Sequence, residues 1–124
     1  MSETLESVFK AVKPLLIPYG KKLDVRGDGE KNYAIYTVKP VTMFGREFPN
    51  LFFASVQIQK NFVGLYFFPI YTNPDKFTDL PPELKKCLKG KSCFHIKKSD
   101  PVLMKQIADL LKKGAELYKK GGII

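Results

Sequence analysis

Arginine is scarce in this chain. Of 21 basic residues only Arg26 and Arg46 carry a guanidinium, the planar fork that phosphate and base-edge recognition favours over a lysine point charge. Histidine occurs once, as His95, and cysteine twice, as Cys87 and Cys93. These three make at most three soft or borderline ligands, one short of a structural zinc site, and Cys-x5-Cys-x-His is not a zinc-knuckle spacing. No apolar run approaches the ~18 residues that a membrane span needs. No repeat, low-complexity block or linker divides the sequence, so residues 1–124 read as one domain. The opening "MSETLESVFKAVKPLLIPYG" lacks a secretory pattern, because Glu3 and Glu6 come early and Lys10 and Lys13 interrupt the apolar stretch. The expectation is a cytoplasmic chain whose cysteines stay thiols, without a Cys87–Cys93 disulfide.

What is present is a core and a positive charge. The hydrophobic fraction is 44% and the aromatic fraction 13%, enough for a packed globular interior. The net charge of +9 is concentrated in the last third. Residues 85–120 hold eleven lysines against Asp100, Asp109 and Glu116, whereas residues 1–84 hold ten basic residues against nine acidic ones.

Periodicity orders the elements. Leu5, Val8, Phe9, Val12, Leu15 and Leu16 recur at helical spacing behind a Ser2 or Thr4 cap, with Pro14 and Pro18 expected to kink or end the helix. "KKLDVRGDGEKNYAIYTVKPV" reads as strand, Gly-Asp-Gly turn, strand. In "NLFFASVQIQKNFVGLYFFPIY" a two-residue Lys60-Asn61 turn pairs Ile58 with Val63, Val56 with Leu65, Ala54 with Phe67 and Phe52 with Pro69 on an apolar face. Gln57 with Gly64, Ser55 with Tyr66, and Phe53 with Phe68 fall on the other face, and a one-residue slip would destroy this sorting. A short helix over residues 83–88, ended by Gly90, leads into the strand "SCFHIKK". The last helix begins near Ser99 or Asp100, carries Leu103, Ile107, Leu110, Leu111 and Tyr118 as a stripe, and ends at Gly121-Gly122. Two amphipathic helices and one antiparallel sheet of about five strands predict an α+β two-layer sandwich, with both long helices on one face.

"FFASVQIQKNFVGLYFFPIY" followed by "LKGKSCFHIKKSDPVLMKQIADLLKKGAELY" resembles the bacterial YdhG-like group of small intracellular domains. In that group a strand ending in lysine, a "vglY"-type strand and a Gly-Lys-x-x-hydrophobic strand lead in that order to a terminal helix. The resemblance spans roughly residues 4–119 and implies an α-β-α sandwich. One branch of the group is similar in fold to frataxin and is implicated in delivering iron, so iron handling is an implied alternative. The frataxin pattern uses a row of carboxylates along the first helix and sheet edge; here that helix offers Glu3 and Glu6 against Lys10 and Lys13.

Candidate sites follow from the strand "SCFHIKK", read as an inner or near-inner strand. Alternation turns Phe94 and Ile96 inward and Cys93, His95 and Lys97 outward, with Cys93 and His95 about 6.5–7 Å apart at Cα. A nucleophilic cysteine needs a base in hydrogen-bond reach and a third group orienting it, and no acid or amide lies close in sequence. No catalytic residue is therefore expected. "RGDGEKN" lacks the regular oxygen ligands of a cation loop, and "KGKS" opens a strand where a phosphate loop opens a helix. No metal set is assigned, with iron the only cofactor in view. Lys97, Lys98, Lys105, Lys112 and Lys113 define a basic surface able to hold nucleic acid by counterion release, although lysines opposite an apolar stripe are usually a solvated face. The remaining candidate is the sheet face opposite the helices, with Phe53, Tyr66, Phe68, Cys93 and His95. Exposed rings in such number suit a partner chain, self-association or a small ligand, unless the Pro-rich 72–84 segment folds back over them.

Overall fold

The computed structural model describes residues 4–38, 40–43, 45–48, 50–90 and 92–120. The expected roles of Ser2, Glu3 and Gly121-Gly122 lie outside these, as does Lys91. Helix α1 (Leu5–Gly20) starts at Thr4, whose hydroxyl accepts from the Ser7 amide at 3.1 Å. Pro14 and Pro18 do not end it. Both are exposed and four residues apart, so the carbonyls they leave without an intrahelical donor are on the wet side, open to water. Val8, Phe9, Val12 and Leu16 make the buried stripe.

Strands β1 (Asp24–Asp28) and β2 (Asn32–Tyr36) form the first hairpin; Gly27 and Asp28 belong to the strand, and the chain reverses after them. A separate hairpin of β3 (Val41–Met43) and β4 (Arg46–Phe48) follows, an addition to the expected order, with Gly45 at φ 72° in its turn. Next come β5 (Phe52–Ile58) and β6 (Val63–Phe67), in the register expected from Ile58↔Val63 to Ala54↔Phe67. Two short helices, α2 (Phe68–Thr72) and α3 (Pro82–Cys87), flank a 3-10 turn at Pro74–Lys76. Strand β7 (Cys93–Ile96) and helix α4 (Pro101–Lys120) complete the order.

The five-stranded sheet runs β1-β2-β5-β6-β7, with every neighbour antiparallel. Strand β7 is thus an edge strand, not an inner one, and Lys89 caps its outer side by donating its amide to the Cys93 carbonyl at 2.8 Å. One face of the sheet and both long helices share a single core: Val8, Val12 and Leu16 of α1, Leu103, Ile107 and Leu111 of α4, and Ile35, Val56, Leu65 and Phe94 of the strands. The fold is the α+β two-layer sandwich, with the helices on one side. Among the described residues no helix is long and apolar enough to cross a membrane.

The sheet departs from simple alternation at β5. Ile35 pairs with Ala54, but the next residue, Tyr36, pairs with Phe52, so Phe53 is an extra residue in the ladder. A bulge of this kind puts two successive side chains out of step with the pleat. Phe53 accordingly enters the core at 0% exposure, with its ring 5.5 Å from Tyr118, 5.8 Å from Tyr19 and 6.1 Å from Phe67. The assignment of Phe53 to the open face is corrected by this bulge: Phe52 takes that position. The Phe52–Pro69 and Phe53–Phe68 pairs do not form either, because β6 stops at Phe67 and turns into α2.

Candidate functional site

The open face can be read row by row from the register. Asn32, Gln57, Gly64 and His95 make one row across β2, β5, β6 and β7; Ala34, Ser55, Tyr66 and Cys93 make the next. Tyr36 and Phe52 begin a third, which Phe68 extends beyond the end of β6. Cys93, His95, Tyr66 and Phe68 are brought together on this face, and each is half-buried. Ser55 is 3% exposed beneath the neighbouring rings.

The rings form a continuous ribbon at one end of the face. Centroids are 5.3 Å apart for Tyr36–Phe52, 6.1 Å for Phe52–Phe68 and 5.4 Å for Phe68–Tyr71, the spacing of favourable aromatic pairs. Tyr71, at its outer end, is 43% exposed. Arg26 closes the other end, its guanidinium 5.9 Å from the Tyr36 ring centroid. That guanidinium also binds the Asp24 carboxylate and the Asn50 side-chain oxygen, while Asn50 donates to the Thr37 carbonyl at 2.7 Å. A shallow groove of about 310 Å³ lies along the ribbon, lined among others by Ser55, Gln57, Tyr66 and Ser92.

Gly64 explains how Tyr66 lies. A Cβ at residue 64 would come within 3.1 Å of the Tyr66 ring, so the bare strand lets the ring fold over it. The Tyr66 hydroxyl reaches the Cys93 thiol, and Gln59 donates to it at 3.4 Å. Burial pushes the Tyr66 phenol up, with Cys93 adding to the effect. Burial likewise raises the Cys93 thiol, against a smaller lowering by the Tyr66 hydroxyl. His95 shares the face but stacks on Phe62, with centroids 3.7 Å apart and planes 10° apart. A raised thiol and an imidazole held flat on a ring do not make an activated nucleophile.

The other expected sites are dispersed. Cys87 is on α3, packed against the core, with its thiol donating to the Glu83 carbonyl at 3.4 Å. Burial raises this thiol too, against the opposing charge of Lys89. Among the described residues no three His, Cys, Asp or Glu side chains converge as a metal-ligand set. Lys97, Lys98, Lys105 and Lys112 are exposed, but Lys113 is half-buried, 3.8 Å from the Asp79 carboxylate and 5.0 Å above the Phe77 ring centroid. Lys113 is thereby held between Phe77 and Asp79, unlike the four more exposed lysines. The 72–84 segment does not cover the aromatic face: Phe77 meets Phe67 edge-on at 5.6 Å on the core side, and Leu84 is buried where α3 meets α4 and β7.

Sequence reasoning missed Phe52, Tyr71, Phe62 and Arg26. The Phe52-Phe53 pair offers a ring to either face, and only the bulge chooses between them. Phe62 would have been found from the β6–β7 register, which sets Gly64 opposite His95. No protein-family model, curated protein or solved structure matches this chain.

Proposed function

We propose that this chain is a non-catalytic binding domain that works through the open face of its sheet, and that this face closes against a second copy of itself. The supporting observation is the ribbon Tyr36–Phe52–Phe68–Tyr71, its first two rings on the sheet face opposite the long helices and its last two on the short helix α2 at the end of that face. Rings in that number seek burial. Charge favours self-pairing here. Among the described residues no lysine lines the groove, and the Arg26 charge at its end is met by Asp24. Helix α4, with five lysines against Asp109 and Glu116, packs on the opposite side of the sheet, so two copies meeting by their open faces keep those charges apart. Strands about 4.8 Å apart, rising about 3.4 Å per residue, present on the order of 400 Å² in projection. Over both partners that is about 800 Å², below the range of stable pairs, and fits only a weak, reversible dimer.

A small planar ligand is the second reading. The observation behind it is the groove, where Ser55, Gln57, Ser92 and the Tyr66 hydroxyl offer hydrogen bonds beside stacked rings. The iron-handling reading implied by the family resemblance finds no carboxylate row among the described residues, since Glu6 and Glu30 stand among Lys10, Lys13 and Lys31.

Sedimentation from about 10 μM to about 1 mM, the range in which a weak pair populates, separates these readings. The expected result is a mass that rises with concentration, and a Tyr66→Ala plus Phe68→Ala variant, still folded by its amide spectrum, that stays monomeric. A wild-type monomer at the highest concentration overturns the self-pairing.

A further inference from the structure

The helical layer has a feature of its own, away from the aromatic face. Tyr19 at the end of α1, Lys22 just beyond it, and Lys112, Ala115, Glu116 and Lys119 of α4 enclose a groove of about 350 Å³. The four α4 residues stand at i, i+3, i+4 and i+7, a single side of the helix. Tyr19 packs at 5.8 Å on the buried Phe53, so this wall is fixed to the core. Ala115, half-buried and small, leaves the groove open between two helices that otherwise touch. Unlike Lys13, tied to Asp28, and Lys113, tied to Asp79, the lysines here have no ion-pair partner among the described residues.

From this we infer an interaction surface for an acidic amphipathic helix of a partner protein, laid along the groove between α1 and α4. The match is in charge and in spacing. Lys112 and Lys119 are two turns apart, about 10.5 Å along the axis, which is the separation of carboxylates at i and i+7 on a docking helix. Lys22 addresses the same helix from the α1 side. The apolar edge between those carboxylates meets Tyr19, Ala115 and the lysine stems, which cover apolar surface while their ammonium groups stay wet. Glu116 in the wall selects against a continuous polyanion. A nucleic-acid strand brings closely spaced phosphates past it, whereas a helix can place a neutral residue there.

The test uses the full chain and a fluorescein-labelled peptide of about four turns, with Glu at i and i+7 flanking leucines at i+3 and i+4. Anisotropy should report saturable binding that weakens as salt rises. Lys112→Glu plus Lys119→Glu should reduce affinity roughly tenfold, the scale of two rim attractions turned to repulsions. Ala115→Leu, which fills the floor without altering charge, should also weaken it. Lys98→Glu plus Lys105→Glu changes net charge equally outside the groove and should leave binding within about twofold. Equal losses from the two charge-reversal pairs would reduce the effect to net charge and overturn the inference. So would a single-stranded RNA of equal charge that binds more tightly and displaces the peptide.

Discussion

Tyr118 does two things that no other residue of α4 does. Its ring meets Phe53 edge-on, and its hydroxyl donates at 2.9 Å to the carbonyl of Phe52, beside the bulge. One side chain therefore fixes the point at which β5 sends Phe53 inward and Phe52 outward. Replacing it with Phe keeps the ring and loses the hydrogen bond, so Tyr118→Phe should cost about 1 kcal/mol in denaturant unfolding. Burial pushes the Tyr118 phenol well above its ordinary range. The folded chain then retains this proton while the unfolded chain loses it, so the stability contribution is intact below about pH 10 and declines as pH rises beyond it. The variant should show a shallower alkaline loss of stability, by about one proton's worth of slope. Cys93 gives a second titration. In a Cys87→Ser background its alkylation by iodoacetamide should be slower at neutral pH than that of a free thiol and accelerate only above the ordinary thiol range, because burial favours the protonated form. A rate at neutral pH above that of the free thiol would contradict the environment described for it.

At the scale of elements, α4 is pressed against the β6–α2 junction through a residue that has no side chain. A Cβ at Gly114 would stand 2.3 Å from Cζ of Phe67, 2.7 Å from its Cε1 and 3.0 Å from Cγ of Pro69. Glycine in mid-helix costs about 1 kcal/mol against alanine, and the close approach of helix to strand offsets it. Gly114→Ala should thus destabilise the protein by about 1–3 kcal/mol, as overpacking does, despite the gain in helix propensity. Thermal unfolding checks it, and an unchanged or raised Tm would show that the ring moves aside freely. The helices and strands themselves were largely legible in the residues. Leu103, Ile107, Leu110, Leu111 and Tyr118 are all buried, and the β5–β6 register from Ile58 to Ala54 follows from sorting polar and apolar side chains to opposite faces. The edge position of β7 was not legible, since alternation fixes which way side chains point and says nothing about which neighbour a strand finds.

For the whole molecule, the consequence of a one-sided helical layer is a protein with two unlike surfaces. One presents the aromatic ribbon, with Arg26 paired to Asp24 at its end; the other is helical and carries the lysines of α4. A dimer closed over the aromatic surface would be stabilised by mass action, so the wild-type Tm should climb as protein concentration rises from about 10 μM to about 1 mM, and that of Tyr66→Ala plus Phe68→Ala should not. A concentration-independent Tm in both proteins would remove the aromatic face as a self-contact. The helical groove, on the other layer, is tested separately by the lysine variants, which leave every ring of the face in place.

The linear order of residues determined by itself the two long helices, the β5–β6 pairing and the division of most side chains between two sides, because those follow from local periods and from the cost of burying polar groups. It determined equally that Cys93 and His95 share a side. Three things were decided only by tertiary structure: which of two adjacent phenylalanines faces outward, which strand forms the edge, and which lysines are held by a partner. Each depends on a contact between segments far apart in sequence. Tyr118 meets β5, Lys113 meets Asp79, and β7 docks beside β6, and no local pattern encodes where a distant neighbour will stand.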